Sequence, residues 1–246
     1  MENLQAFHAR VDGFQRDSLP HEGPFTTKPL LVEKVAPDLM YMPVVYHKKV
    51  APDGTLRPFF GNTMIFDLLQ DVQLQIAAWQ VRVHHRCSAM LAQPLGPATL
   101  HMTLHDLLNG VDEAALREPV RRTGEQAKAI LQAQRTAQQP PIRLTSTLAF
   151  NMTCGSVALG FAPDTEEDCT SLMTMHAAYQ DVVALNYPLT PHVTLAYFRP
   201  GTYGPEEVAR LAEALREINA LPKVRIAVDA ECLHYYTFED MNTYIR

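Results

Sequence analysis

The chain has 246 residues, 47% of them hydrophobic and 20% charged; this suits one globular domain or two lobes sharing a core and excludes a chain disordered over most of its length. With 21 Lys and Arg against 27 Asp and Glu, the formal charge of -6 argues against a main grip on the phosphates of long duplex DNA. A small anionic ligand needs only a local positive field.

Residues 1 to 38 combine a short amphipathic piece (Leu4, Phe7, Val11, Phe14) with Pro20, Gly23 and Pro24, which predicts an N-terminal extension packed on the body. The main domain is then expected over 39 to 246, with one lobe to about 153 and a second beyond it, strands being exchangeable between the two. It opens with a predicted hairpin: a strand over 39 to 50, a turn at APDGT carried by Asp53-Gly54, and a strand over 57 to 69. A helix is expected from about Asp71 to Leu91, stopped before Pro94 and Gly96. After it come a strand containing HMTLH, a helix from about Asp112 to Gln134, and strands over 142 to 153 and 156 to 162. The second half repeats this order, with a helix from about Glu166 to Val183, a strand containing HVTL, a helix from Glu206 to Ile218, and strands over 223 to 229 and 231 to 238.

One short phrase is written twice. PATLHMTL at 97 to 104 and PLTPHVTL at 188 to 195 agree at five of eight positions: Pro97 with Pro188, Thr99 with Thr190, His101 with His192, Thr103 with Thr194 and Leu104 with Leu195. The two histidines lie 91 residues apart, a spacing that suits a unit of about half the domain. Alternation along a strand puts Thr99, His101, Thr103 and His105 on one face with Leu100, Met102 and Leu104 behind. It likewise sets Thr190, His192, Thr194 and Phe198 together, with Val193, Leu195 and Tyr197 behind.

Two imidazoles facing each other across a cleft can serve as base and acid near neutral pH. Cleavage of a phosphodiester needs a deprotonated nucleophile on one side of phosphorus, a protonated leaving oxygen on the other, and donors for the charge between them. His101 and His192 with the hydroxyls of Thr103 and Thr194 supply that set without a metal or other cofactor.

LHMTL and PHVTL resemble the twin HxT motifs of the 2H phosphoesterase superfamily, the group of LigT-type RNA 2',5' ligases and cyclic phosphodiesterases, over roughly residues 40 to 240. The PFFGNT stretch at 58 to 63 further looks like a branch of bacterial members with longer N-terminal segments. The resemblance implies an α+β fold: a bilobal, duplicated LigT-like structure with two antiparallel sheets facing a central cleft and helices outside. It also implies that His101 and His192 are catalytic and that Thr103 and Thr194 hold phosphate. The expected substrate is a 2',3'-cyclic phosphate, or a related cyclic or 2',5'-linked phosphodiester, on a nucleotide or RNA end; which histidine is the acid stays open.

His105, Phe198, Tyr46 and Asn62 are further candidates for substrate contact, weighed against strand-end, core and surface roles. Arg199 and Thr63 carry less weight, and His84 and His85 suit a solvated helix face. Two alternatives compete with the hydrolase: a binding module for nucleotides or RNA ends without turnover, and a metal hydrolase with zinc on His101, His105 and His192. The four cysteines, Cys87, Cys154, Cys169 and Cys232, have no metal-ligand spacing and read as free thiols. No 18-residue apolar run occurs and the N-terminus lacks a basic start before an apolar stretch, so a cytoplasmic protein with no membrane partner is expected; a monomer is the separate expectation for its oligomeric state.

Overall fold

The computed structural model describes residues 2–17, 25–26 and 49–246. In chain order the elements are α1 (Leu4–Asp17), β1 (Phe25–Thr26), β2 (Phe60–Asp67), α2 (Gln70–Cys87), β3 (His101–Gly110), α3 (Glu113–Thr136), β4 (Ile142–Met152), β5 (Ser156–Pro163), α4 (Glu166–Ala177), β6 (His192–Tyr197), β7 (Thr202–Tyr203), α5 (Pro205–Asn219), β8 (Arg225–Val228), β9 (Leu233–Asp240) and β10 (Thr243–Ile245). Among the described residues β1 pairs with β7 alone.

The other eight strands form one antiparallel sheet in the order β10-β9-β2-β3-β6-β5-β4-β8. Two separate sheets were expected from the sequence. The halves are instead continuous, because β3 and β6 pair at one position, Met102 with Val193. Chain order crosses this seam twice: α3 carries the chain from β3 to β4 in the far half, and α5 and β8 lead back to β9 beside β2. The near half is therefore completed by two strands, β9 and β10, from the end of the chain, while the far half is built from 142–228 alone.

Local chemistry explains where the helices begin. Asp112 caps α3 by accepting from the Ala115 N–H at 3.0 Å, and Thr165 caps α4 by accepting from the Asp168 N–H at 3.2 Å. In α5, Pro205 fills the first turn and Glu207 reaches back to the Gly204 N–H at 2.9 Å. α2 ends at Cys87, short of the expected Leu91, which forms a bridge with Phe198 instead. Of the predicted opening hairpin, residues 39–48 lie outside the described residues. Its turn is present: Gly54 has a φ of 93°, a left-handed conformation that favours glycine, its N–H donates to Ala51 O at 2.9 Å, and Val50 bridges Leu56.

α3 covers β2, β3 and β9, while α2 packs on α5 and β6. The main core includes Met102, Leu104, Phe161, Val193 and Leu195, all at most 2% exposed, each contributing about 2 kcal/mol by leaving water. A second cluster of Val50, Phe59, Ala92, Leu95, Tyr197, Phe238 and Met241 joins residues from both halves of the sheet. β5 is buried along its whole length, so it is covered on both faces. Its sequence suits this: Val157, Leu159 and Phe161 alternate with Ala158, Gly160 and Ala162, and α1 lies against β4 and β5. Among the described residues no helix is long and apolar enough to cross a membrane.

Candidate functional site

His101 and His192 each begin a strand, at the middle of the sheet. A short 3-10 turn over Pro97–Thr99 precedes the first, so Thr99, expected on the strand, sits in the turn and serves through its carbonyl. Nδ1 of His101 is 2.7 Å from Thr99 O and Nδ1 of His192 is 2.8 Å from Thr190 O. A carbonyl can only accept, so Nδ1 carries the hydrogen on both rings and Nε2 is left to meet a ligand.

The seam brings the four residues together. Antiparallel pairing centred on Met102 and Val193 puts those two side chains on the helix-covered face and sets His101 beside Thr194 and Thr103 beside His192 on the other, with Cβ atoms about 5 Å apart. The histidines are then diagonal neighbours, about 7–8 Å apart at the backbone. Burial pulls the His101 imidazole down to about 4, with the neighbouring His192 lowering it further and the Thr99 carbonyl, Asp106 and Asp67 opposing. Burial lowers His192 as well, against the Thr190 carbonyl and Asp106, with Lys49 adding to the lowering.

A β-bulge beyond each threonine redirects the remainder of the strand. On β3, Thr103 pairs with Ile65 but His105 pairs with Met64, so two steps on one strand match one on the other. On β6, Thr194 pairs with Ala158 and Ala196 with Val157, the same irregularity at the equivalent place. Beyond the bulge the faces exchange. His105 therefore turns away from the face that carries His101 and His192, the face of the expected cleft, into the helix side, 1% exposed, with its ring 4.9 Å from His176 and 5.9 Å from Tyr179. It can join neither a substrate nor a zinc site with His101 and His192. Phe198 is also in the core, 4% exposed, rather than on the cleft face.

Asp106 and Tyr197 take the cleft positions. Simple alternation had hidden both: a bulge is a backbone feature with no residue-type signature in these strands. Asp106 accepts from the Tyr187 hydroxyl at 2.8 Å. Tyr197, expected behind its strand, has its phenol pushed up by burial and by Asp106, with the Thr194 hydroxyl beside it.

The rest of the cleft face comes from β2, β9 and β10. Asp67 pairs with His101 across β2 and β3 and accepts from the Tyr236 hydroxyl at 3.0 Å; His234 Nδ1 lies 3.0 Å from its other oxygen. Tyr244 presents its ring edge-to-face to His101 with centroids 4.8 Å apart. β10 was not foreseen, and Tyr244 with it.

Asn62 is 1% exposed and points to α3. Its amide donates to Thr123 Oγ1 at 2.9 Å and Tyr235 Oη at 3.1 Å, and its oxygen accepts from the Leu108 N–H at 2.9 Å. It is a structural cross-link and not a substrate contact. Thr63 spends its hydroxyl on His105 O. Arg199 packs its stem on Gly54 and donates to Pro52 O at 3.2 Å. His84 and His85 lie on α2, and Tyr46 falls outside the described residues. The four cysteines are free.

No protein-family model matches the sequence, and no curated protein matches it. Solved structures similar to the chain include a phosphoesterase (19% identity, covering 77% of this chain and 96% of that one, TM-score 0.44). Escherichia coli LigT complexed with 3'-AMP is another (17% identity, 73% and 88% covered, TM-score 0.43). A conserved protein of unknown function from Agrobacterium tumefaciens is 20% identical, with 80% of this chain and 88% of that one covered at a TM-score of 0.59. That last likeness is one of fold, and it extends over most of both chains.

Proposed function

We propose that the protein is a metal-independent phosphoesterase of the 2H kind, hydrolysing a 2',3'-cyclic phosphate or a related cyclic or 2',5'-linked phosphodiester of a nucleotide or RNA end. The observation that carries this reading is the single pairing of Met102 with Val193, which gathers two imidazoles and two threonine hydroxyls on one face at the seam.

In this mechanism the diester phosphorus sits between the rings. Thr103 and Thr194 donate to its non-bridging oxygens, where negative charge grows in the transition state. One neutral imidazole takes a proton at Nε2 from the attacking water as the new P–O bond forms. The other, protonated at Nε2, gives its proton to the ribose oxygen as the old P–O bond breaks. The charges around the two rings differ: Asp67 and Asp106 favour the protonated form of His101 against the charge of His192, whereas His192 has Asp106 for it and Lys49 against it. We assign the acid role to His101 on its cross-strand pairing with Asp67, and the base role to His192. Burial keeps both rings neutral before substrate arrives, and the anionic phosphodiester itself supplies the charge that lets His101 hold its proton.

Turnover of 2',3'-cyclic nucleotides by purified wild type, His101→Ala and His192→Ala tests the reading. Each variant should lose about 10² or more in kcat with an unchanged melting temperature, and EDTA should leave wild-type turnover intact. Full activity in either variant sinks it; nucleotide binding without turnover by the wild type would favour a binding module.

A further inference from the structure

β5 carries Gly160 directly opposite His192, and paired residues of an antiparallel ladder point to the same face. The space over Gly160 is thus cleft-face space, about 5 Å from the His192 backbone. It is filled from the N-terminus. A Cβ placed on Gly160 would come within 2.0 Å of Gln15 Nε2 and 2.6 Å of Thr147 Oγ1. Phe14, one residue away on α1, meets Phe150 edge-to-face at 5.8 Å, and Phe150 pairs with Ala158, again on the face of His192 and Thr194. α1 therefore lies on the cleft side of β4 and β5, seated on the small residues Ala158, Gly160 and Ala162.

Two polar side chains here have no partner among the described residues. Gln15 is 0% exposed, yet neither its Nε2 nor its Oε1 is hydrogen-bonded, and Thr147 Oγ1 is buried and equally unpaired. A buried carboxamide with both ends unsatisfied destabilises the fold, and such a cost is characteristic of groups kept for a ligand. Thr147 also lines a cavity of about 450 Å³ between α1 and β4, together with His8, Asp12, Arg16, Ala162 and Lys223. The cavity starts two strands from β6, about 10 Å from the histidine seat.

We propose that the N-terminal helix supplies a second binding region of the same site: the space between α1 and β4 receives the nucleoside portion of the substrate, with Thr147 at its wall and Gln15, buried directly behind Thr147 over Gly160, as its polar contacts. A carboxamide offers a donor and an acceptor side by side, which matches the paired donor and acceptor on the edge of a nucleobase. The proposal rests on the phosphodiesterase reading for the position of the phosphate but not for turnover. α1 becomes a specificity element, with the phosphate held at the seam and the base read on α1.

Calorimetric titration with the four 2',3'-cyclic mononucleotides and, separately, with inorganic phosphate tests this in wild type, Gln15→Leu and Thr147→Val. Both substitutions remove polar atoms at nearly constant volume, and Gln15→Leu should hold or raise the melting temperature. The expected result is that wild type prefers nucleotide to phosphate, and that each variant loses at least about fivefold in nucleotide affinity while its phosphate affinity is unchanged. Equal affinity of wild type for nucleotide and phosphate, no binding of either, unaltered nucleotide binding in both variants, or parallel loss of both ligands would overturn it. Nucleotide binding that depends on Gln15, without turnover, would support this inference while removing the catalytic one. Turnover with unaltered variant affinities would do the reverse.

Discussion

His176 offers a test in which the size of the effect follows from its surroundings. It is 6% exposed on α4, and burial, with the ring of His105 beside it, pulls its pKa from 6.5 down to about 4. In the unfolded chain the imidazole titrates at its ordinary value, so between pH 6.5 and about 4 the unfolded state holds a proton that the native state does not. Stability is then complete above 6.5 and falls as the pH drops through this window. Each unit within it costs about 1.4 kcal/mol, so lowering the pH from 7 to 5 removes about 2 kcal/mol through this side chain alone. Urea denaturation of wild type and His176→Gln at both pH values measures it. Glutamine does not titrate, so the variant should lose about 2 kcal/mol less than wild type on acidification, whatever its stability at pH 7. Identical losses in the two proteins would refute the claim that this ring is held neutral in the native state.

Thr103→Val and Thr194→Val should each lower kcat by about 10² with little change in melting temperature, as expected for donors to a transition-state oxyanion; a large melting shift would mark them as structural. Asp67→Asn withdraws a carboxylate that favours protonated His101, so the alkaline limb of the rate profile should move to lower pH, and an unmoved limb would remove His101 from the acid role. Asn62→Leu leaves the Leu108 N–H without its 2.9 Å acceptor and should cost about 2 kcal/mol in chemical denaturation with no change in KM for a cyclic nucleotide.

What could be read from sequence divides along a physical line. The helices over 113–136 and 205–219 and the strands over 142–152 and 156–163 lie within a few residues of their expected limits, because periodicity, Asp112 and Pro205 are local signals. The His and Thr of each motif share a face for the same reason, being two residues apart on one strand. The residues misplaced, His105, Phe198 and Tyr197, all lie beyond a bulge, where period two no longer predicts direction. Asn62 was misread because its partners on α3 and β9 are 61 and 173 residues away. Gln15 could not be found at all, since its neighbour Gly160 is visible only once α1 is docked. Contacts at such separations are set by topology, which the seam and its two crossings decide.

In the proposed mechanism the paired bulges let one backbone device serve two different proton carriers. In both strands the residue two after the histidine keeps its hydroxyl in the cleft, and the residue four after it is expelled to the helix side, as His105 in one half and Ala196 in the other. The residue five after the histidine is then returned to the cleft, and there the halves part: Asp106 brings a carboxylate, Tyr197 a phenol that burial keeps protonated. Regular strands would have put His105 beside His101 on the same face, adding a third basic ring to the site and placing Asp106 behind the sheet, where no carboxylate could favour a protonated imidazole. General acid-base cleavage needs the two histidines to hold opposite protonation states at the same moment, a condition that an environment identical around both would oppose. The bulge supplies the same geometry twice, and the residues it delivers make the field around the two rings unequal.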